Sequence, residues 1–297
     1  MNDVLVLGGA GVDTIVYVPE LPLPYADSYM VPAIEARAGQ TGDGVALGLT
    51  ALGLRTVHMD VLGDDHEGAL VKALHERHDV PLIALPTAAG TKRAVNLVDP
   101  QGRRLSLYDI SRGDDRDRLP EPLLTELGQA ARHIHVCITH PCQHAMPLLA
   151  TLPTPISVDL HNWDGTNPYH EVFAFAADVV FLSTTALTDP PATMRHIISS
   201  GRASVVIGTA GADGGWYLER GRDLHRYAAA PPSSPAVDSN GAGDAFVSGF
   251  LWGYLAQAPV ADCVRFGAIA GAHACTVAST EVRPLDRLTL LARADGP

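Results

Sequence analysis

The chain has 297 residues, enough for one large α/β domain or two small ones. Hydrophobic residues make up 46% and charged residues 18%, a globular composition that excludes an intrinsically disordered chain. The formal net charge of −12 argues against general nucleic-acid binding, which needs basic surface, but leaves room for a local positive site that receives a small anion.

No apolar run reaches the ~18 residues that a membrane helix needs. Phe266–Ala278 comes nearest and contains His273. Met1–Val6 carries neither a basic n-region nor a long apolar core, so no secretory signal is read there. The four cysteines contain no C-x-x-C pair, which gives neither a zinc ribbon nor a redox motif. A cytosolic chain with reduced thiols is the expectation.

Val4–Leu7 is a short apolar run ending in Gly8-Gly9-Ala10-Gly11, a strand entering a tight turn. A dinucleotide fingerprint would need a third glycine where Thr14 stands. Asp13 follows this turn, where an aspartate readily hydrogen-bonds its own backbone. Ser28–Ala38 reads as extended. Gly39-Gln40-Thr41-Gly42-Asp43-Gly44 then makes a turn before a helical Val45–Leu52. Thr56–Val61 reads as a strand, and Gly63-Asp64-Asp65-His66-Glu67-Gly68 opens a helix that runs to His78. Within Thr91–Asp109, alternating apolar residues flank Asp99-Pro100-Gln101-Gly102, which signals a hairpin. Its exposed strands need covering.

From Leu119 onward helix and strand patterns alternate. Helices are expected over Glu121–Ala131, Gln143–Leu149 and Pro191–Ser200, and strands over His133–Ile138, Ile156–Asp159, Val179–Leu182 and Val205–Ile207. Such alternation predicts a parallel sheet covered on both faces, with right-handed crossovers. His133, His135 and Cys137 share one strand face, and His140, Cys142 and His144 follow. They are zinc-type ligands at no standard ligand spacing, so a structural role is preferred. His140 falls at a strand end, where open α/β sheets bind ligands. Thr209-Ala210-Gly211-Ala212-Asp213-Gly214 is a turn after a strand. Trp216–Leu218 and Leu224–Tyr227 suggest a hairpin. Ala261–Ala278 reads as a small-residue helix, and a short helix follows Leu285.

The most informative stretch runs from Val237 to Phe250. Small residues at Ser239–Gly243 lead into an apolar, helix-compatible run. The first amides of a helix lack internal partners and sit at the positive end of its dipole, which makes an anion site. Gly241 and Gly243 allow close backbone approach. Asp244 is a carboxylate placed where an anion belongs, either as a cap or as a reacting group.

Asp238-x-x-Gly241-Ala242-Gly243-Asp244, followed by Ala245-Phe246-x-x-Gly249-Phe250, resembles the signature of the ribokinase-like (PfkB) carbohydrate kinases. The order and spacing of the weaker motifs extend the resemblance from Gly8 to the C-terminal helix. It implies an α/β three-layer sandwich with a central, mostly parallel sheet and a small β-sheet lid. The chain would be one domain over residues 1–297, with lid strands inserted at about 14–38 and 91–109. It implies an ATP-dependent kinase that transfers the γ-phosphoryl group to a hydroxyl of a sugar or sugar-like substrate. Asp244 would be the base, and Gly241, Ala242 and Gly243 the anion hole. Asp13, Gly39, Gln40, Asp43 and His140 would contact the substrate. Ser183, Thr209, Gly211 and Gly214 would lie beside ATP. No Gly-x-x-x-x-Gly-Lys-Ser/Thr occurs, so the phosphate cradle must be the Gly241 turn. ATP and Mg²⁺ are the expected cofactors, with a monovalent cation a further candidate. A homodimer through the lid is expected, with no nucleic-acid or membrane partner.

The chain departs from the family pattern at several positions. Gln40 stands for a glycine and Gly44 for an asparagine whose amide meets the sugar; Asp43 is the candidate replacement. Ser183 and Ala186 stand where the family has Asn-x-x-Glu, whose polar groups organise Mg²⁺ through water. These departures leave open a nucleoside kinase, or a non-catalytic binding protein on the same fold.

Overall fold

The computed structural model describes residues 2–113, 115–278 and 281–296. Among them the chain forms β1 (Asn2–Leu7), β2 (Val12–Tyr17), β3 (Ile34–Ala38), α1 (Thr41–Ala51), β4 (Thr56–Leu62), α2 (His66–Arg77), β5 (Leu82–Pro86), β6 (Arg93–Val98) and β7 (Arg104–Tyr108). Then follow α3 (Glu121–Ala130), β8 (Ala131–Cys137), α4 (His140–Leu149), β9 (Ile156–Asp159), α5 (Pro168–Ala174), β10 (Val179–Ser183), α6 (Pro190–Ser200) and β11 (Val205–Thr209). The hairpin β12 (Gly215–Glu219) and β13 (Leu224–Tyr227) precedes α7 (Ala242–Leu255), α8 (Val260–Ala274) and α9 (Arg287–Ala294).

Nine strands build the main sheet in the order β13-β12-β11-β10-β9-β8-β1-β4-β5. Only the β12–β13 edge is antiparallel. Alternate residues of β1 enter opposite cores, as a strand's period of two requires. Leu5 and Leu7 join one apolar cluster with Leu124 of α3, Met146 of α4, Phe173 of α5 and Ile197 of α6. Val4 and Val6 join the other with Val45 of α1, Val71 of α2, Phe250 of α7 and Val264 of α8. Each fully buried side chain of this size contributes about 1.5–3 kcal/mol of transfer free energy. The result is the expected three-layer sandwich. Alpha-7 and α8 cross closely because a Cβ on Gly249 would stand 2.6 Å from the Phe266 carbonyl oxygen.

The chain runs outward through β4 and β5 on one side of β1, then returns to β8 and runs outward on the other side. The order therefore reverses between β1 and β8, which is where an open α/β sheet leaves a crevice beyond its strand ends. A second sheet, in the order β3-β2-β6-β7, stands over that crevice. Its hairpin is the one read around Asp99, whose carboxylate accepts the Gln101 and Arg103 amides at 3.0 and 2.9 Å. Of the extended Ser28–Ala38 segment, only Ile34–Ala38 pairs as a strand. Beta-5 and α5 were absent from the pattern reading; each is too short to carry a clear period. Alpha-4 starts at His140 because Pro141 suits a first turn, where no amide partner is lost. Alpha-8 ends at Ala274, four residues before the Ala278 boundary expected.

Candidate active site

Alpha-7 starts at the floor of the crevice. Its N-cap, Gly241, has φ 74°, the left-handed region that glycine enters without strain. The loop before it is held from two sides. The Asp238 carboxylate accepts the Asn240 amide at 2.8 Å, a local turn. From the lid, Arg104 donates to Asn240 Oδ1 at 2.6 Å, and Ser239 donates to the Gly102 carbonyl at 3.1 Å. The Tyr17 hydroxyl donates to Asp238 Oδ2 at 3.3 Å. The small sheet is thus bonded directly to the loop that shapes the helix start.

A cavity of about 1000 Å³ opens there, and Asp13, Gln40, His140, Gly241, Gly243 and Asp244 all border it. The carboxylate of Asp244 is enclosed by protein yet open to this cavity. Enclosure pushes its pKa up to about 6, with the neighbouring Asp159 adding to the effect and His161 opposing it. Asp13 is 6% exposed, and Gln40 donates to its Oδ1 at 3.0 Å. Burial raises the Asp13 pKa, while that amide and the charges of Arg37 and Arg104 work against the rise. Gly39 carries φ 131° and also borders the cavity. His140, at the first turn of α4, packs edge-on against Tyr169 with ring centroids 5.2 Å apart.

Asp43 is a correction to the sequence reading. Its carboxylate is fully buried and does not border the cavity. One oxygen accepts the amides of Gly11 and Gln40, both at 3.1 Å, so Asp43 fixes the turn from behind instead of touching a ligand. Gly44 also has a different neighbour from the one expected. A Cβ there would stand 3.0 Å from Asp244 Oδ2, so position 44 faces the Asp244 carboxylate. His133 and His135 are buried and share the Ser157 hydroxyl at 2.8 and 2.9 Å, in line with a structural role.

Ser183 and Thr209 are register partners at the ends of β10 and β11. Neither they nor Gly211 and Gly214 border the cavity lined by Asp13 and Asp244. Gly211 has open space around it, whereas a Cβ on Gly214 would stand 2.1 Å from the Tyr227 carbonyl oxygen.

The cavity also contains residues that pattern reading did not select. Asp159, at the end of β9, has an oxygen 3.8 Å from the Cβ position of Gly243, beside the α7 start. His161, with φ 51°, follows it and donates its amide to Asp159 Oδ1 at 2.9 Å. Arg104 and Tyr108 come from the lid. The strand-end rule applied to Ile156–Asp159 would have selected Asp159.

The profile of the pfkB family carbohydrate kinases matches residues 176–286. A curated relative, the acarbose 7(IV)-phosphotransferase of Actinoplanes sp., is 64% identical over 291 residues, which span 98% of this chain and 97% of the relative. The chain belongs to the pfkB family of carbohydrate kinases. It is an ATP-dependent phosphotransferase that acts on a hydroxyl of a sugar or sugar-like acceptor. Among solved structures, this kinase overlays the microbiome-derived acarbose kinase Mak1 with TM-score 0.91 and 40% identity, covering 99% of each chain. It overlays an Arabidopsis thaliana ribokinase complexed with ribose and ATP with TM-score 0.81 at 18% identity, covering 100% of this chain and 99% of that one, a likeness of fold. Among the described residues, no helix is long and apolar enough to cross a membrane.

Proposed function

We propose that this kinase phosphorylates acarbose, at the position that the relative's name specifies. The observation that carries the reading is the 64% identity to an acarbose 7(IV)-phosphotransferase along nearly the whole of both chains. The breadth of the cavity, about 1000 Å³, supports an acceptor larger than a single pentose. The test is ATP turnover with acarbose, ribose and a nucleoside panel, with the product's phosphate position read by NMR. Acarbose should be preferred by kcat/KM. A preference for ribose or a nucleoside would overturn the substrate while leaving the kinase intact.

The geometry supports the following residue roles. Asp244 takes the proton from the acceptor hydroxyl, and its partial shielding keeps it basic enough to do so near neutral pH. Phosphoryl transfer passes through a loose transition state, so positioning and charge stabilisation dominate. The Gly241–Gly243 turn presents the α7 amides to the transferring group. Asp13 and Gln40 accept and donate hydrogen bonds to acceptor hydroxyls, with His140 at the cavity rim. Ser183, Thr209, Gly211 and Gly214 flank ATP. The whole chain works as one catalytic unit whose lid comprises the segments at about 14–38 and 91–109.

Mg²⁺ is the usual partner of ATP, and it prefers hard oxygen donors and few protein ligands. The residues fit that demand. Ala186 offers no carboxylate, and the Ser183 hydroxyl bonds Thr185 Oγ1 at 2.7 Å, but the Asp159 carboxylate faces the α7 start. Asp159 would hold the ion through water, where it would neutralise charge on the phosphates. The four unpaired cysteines suit a reducing, cytoplasmic setting. Exposed Ile34 and Leu107 on the lid suit a homodimer.

A further inference from the structure

Beneath the Gln40 turn, on the side away from the cavity, three side chains from three elements meet. They are Asp43 of α1, His58 of β4 and His75 of α2, none more than 1% exposed. His58 Nδ1 and His75 Nε2 stand 2.9 Å apart. Asp43 Oδ1 lies 3.5 Å from the first and 3.6 Å from the second.

The outer ring nitrogens decide what occupies the centre. His58 Nε2 is 2.9 Å from the Gly8 carbonyl oxygen, and His75 Nδ1 is 3.0 Å from the Val71 carbonyl oxygen. A carbonyl only accepts, so each of these nitrogens carries the proton. Both inner nitrogens of the neutral rings therefore present lone pairs to each other. The third group makes the conflict worse, because Asp43 Oδ1 is buried and has no hydrogen-bond partner. A proton shared between the rings would satisfy two nitrogens but leave that oxygen without a donor. A proton on Asp43 would satisfy one nitrogen at most and leave the other lone pair opposed.

A cation among the three meets every lone pair at once. Two imidazoles and one carboxylate form a donor set that suits a first-row divalent ion. Imidazoles that bind a metal characteristically donate their remaining N–H to a carbonyl or carboxylate, as both rings do here. We propose that Asp43, His58 and His75 form a buried site for a zinc-class divalent ion, distinct from the cavity lined by Asp244. Its work is structural. It ties α1, α2 and β4 together, and through the second Asp43 oxygen it fixes the Gly11 and Gln40 amides that set the floor of the cavity.

Because the site is closed to solvent, the ion enters as the chain folds, and binding free energy becomes folding free energy. The test uses untagged full-length protein. Elemental analysis after a brief chelator wash should find about one zinc-class ion per chain. Protein unfolded in guanidinium and refolded with Co²⁺ should acquire the intense visible absorption of low-coordinate cobalt, unlike the weak bands of an all-oxygen octahedral site. Refolding with chelator should lower Tm, and Zn²⁺ should restore it. His75→Gln should lose the ion and the cobalt bands; His58→Gln provides a second variant if that one fails to fold. Wild-type protein that purifies metal-free, refolds with no cobalt bands and shows a Tm indifferent to Zn²⁺ would overturn the site. So would a His75→Gln variant that retains the full complement of ion. None of these readouts depends on which sugar the enzyme accepts.

Discussion

At the scale of single residues, the proposed chemistry turns on two carboxylates beside one helix start. Asp244→Asn removes the proposed base, whose interaction would be made only in the transition state. Positioned bases contribute about 10²–10⁴-fold, so kcat should fall by that order while the KM for ATP holds. Activity within threefold of wild type would remove Asp244 from the mechanism. Since enclosure pushes its pKa up to about 6, kcat/KM should decline on the acid side of pH 6, where the base is protonated. The same shift has a consequence for stability, with a fixed sign. The folded pKa exceeds the unfolded value, so the stabilising contribution is complete below the ordinary aspartate range and is lost as pH rises through about 6. Asp244→Asn should therefore melt above wild type at pH 8, with the gap closing toward acid pH. For the second carboxylate, Asp159→Asn should raise the free Mg²⁺ needed for half-maximal rate, and Ala186→Glu should lower it in that variant. Rates measured against free Mg²⁺ at fixed MgATP check both; unmoved curves would assign the ion to other groups.

At the scale of elements, the lid hairpin and the loop before α7 act as one piece, since Arg104 of β7 donates to Asn240 at 2.6 Å. Arg104→Ala deletes a charge-assisted hydrogen bond, worth about 1.5–3 kcal/mol, at a junction that shapes the α7 start, the proposed anion hole. The acceptor kcat/KM should drop roughly tenfold or more, with ATP affinity little changed. An unaltered kcat/KM would mean that the loop holds its shape without the lid. What could be read from sequence follows a physical division. The α7 start was legible because Gly-Ala-Gly-Asp carries its chemistry locally. The parallel sheet was legible because each strand and helix bears its own period. Asp159 was legible only as the last residue of an expected strand, because its position beside Gly243 is created by the arrangement of separate elements around the crevice. Asp43 misled for a related reason. It neighbours Gly44, where the family pattern has an asparagine, and so stood as the candidate replacement, but its position in the first turn of α1 directs it inward, onto the Gly11 and Gln40 amides. The partnership of His58 and His75 was likewise invisible, because a strand and the helix after it must fold together before the rings meet.

At the scale of the molecule, the cavity proposed to receive the acceptor lies where the strand order reverses between β1 and β8, and the small sheet stands over it. That sheet carries apolar side chains away from the main body. Ile34 is 66% exposed and Leu107 55%, a cost that a lone lid would bear for nothing. Two uses can repay it: closure over the acceptor, and pairing with a second copy. Tyr108 and Arg104 border the cavity as well, so the same strand can serve both. A segment that closes on substrate is drawn from the less stable parts of a fold, and ligand should slow its local opening. Acceptor should therefore protect the amides of β3, β6 and β7 from hydrogen exchange more strongly than those of β10 and β11. If the lid also forms the contact between subunits, Ile34→Lys with Leu107→Lys should move the sedimenting species from dimer to monomer. Protection confined to the main sheet would rule out closure, and a wild-type monomer at all concentrations would leave the apolar lid face to the acceptor alone.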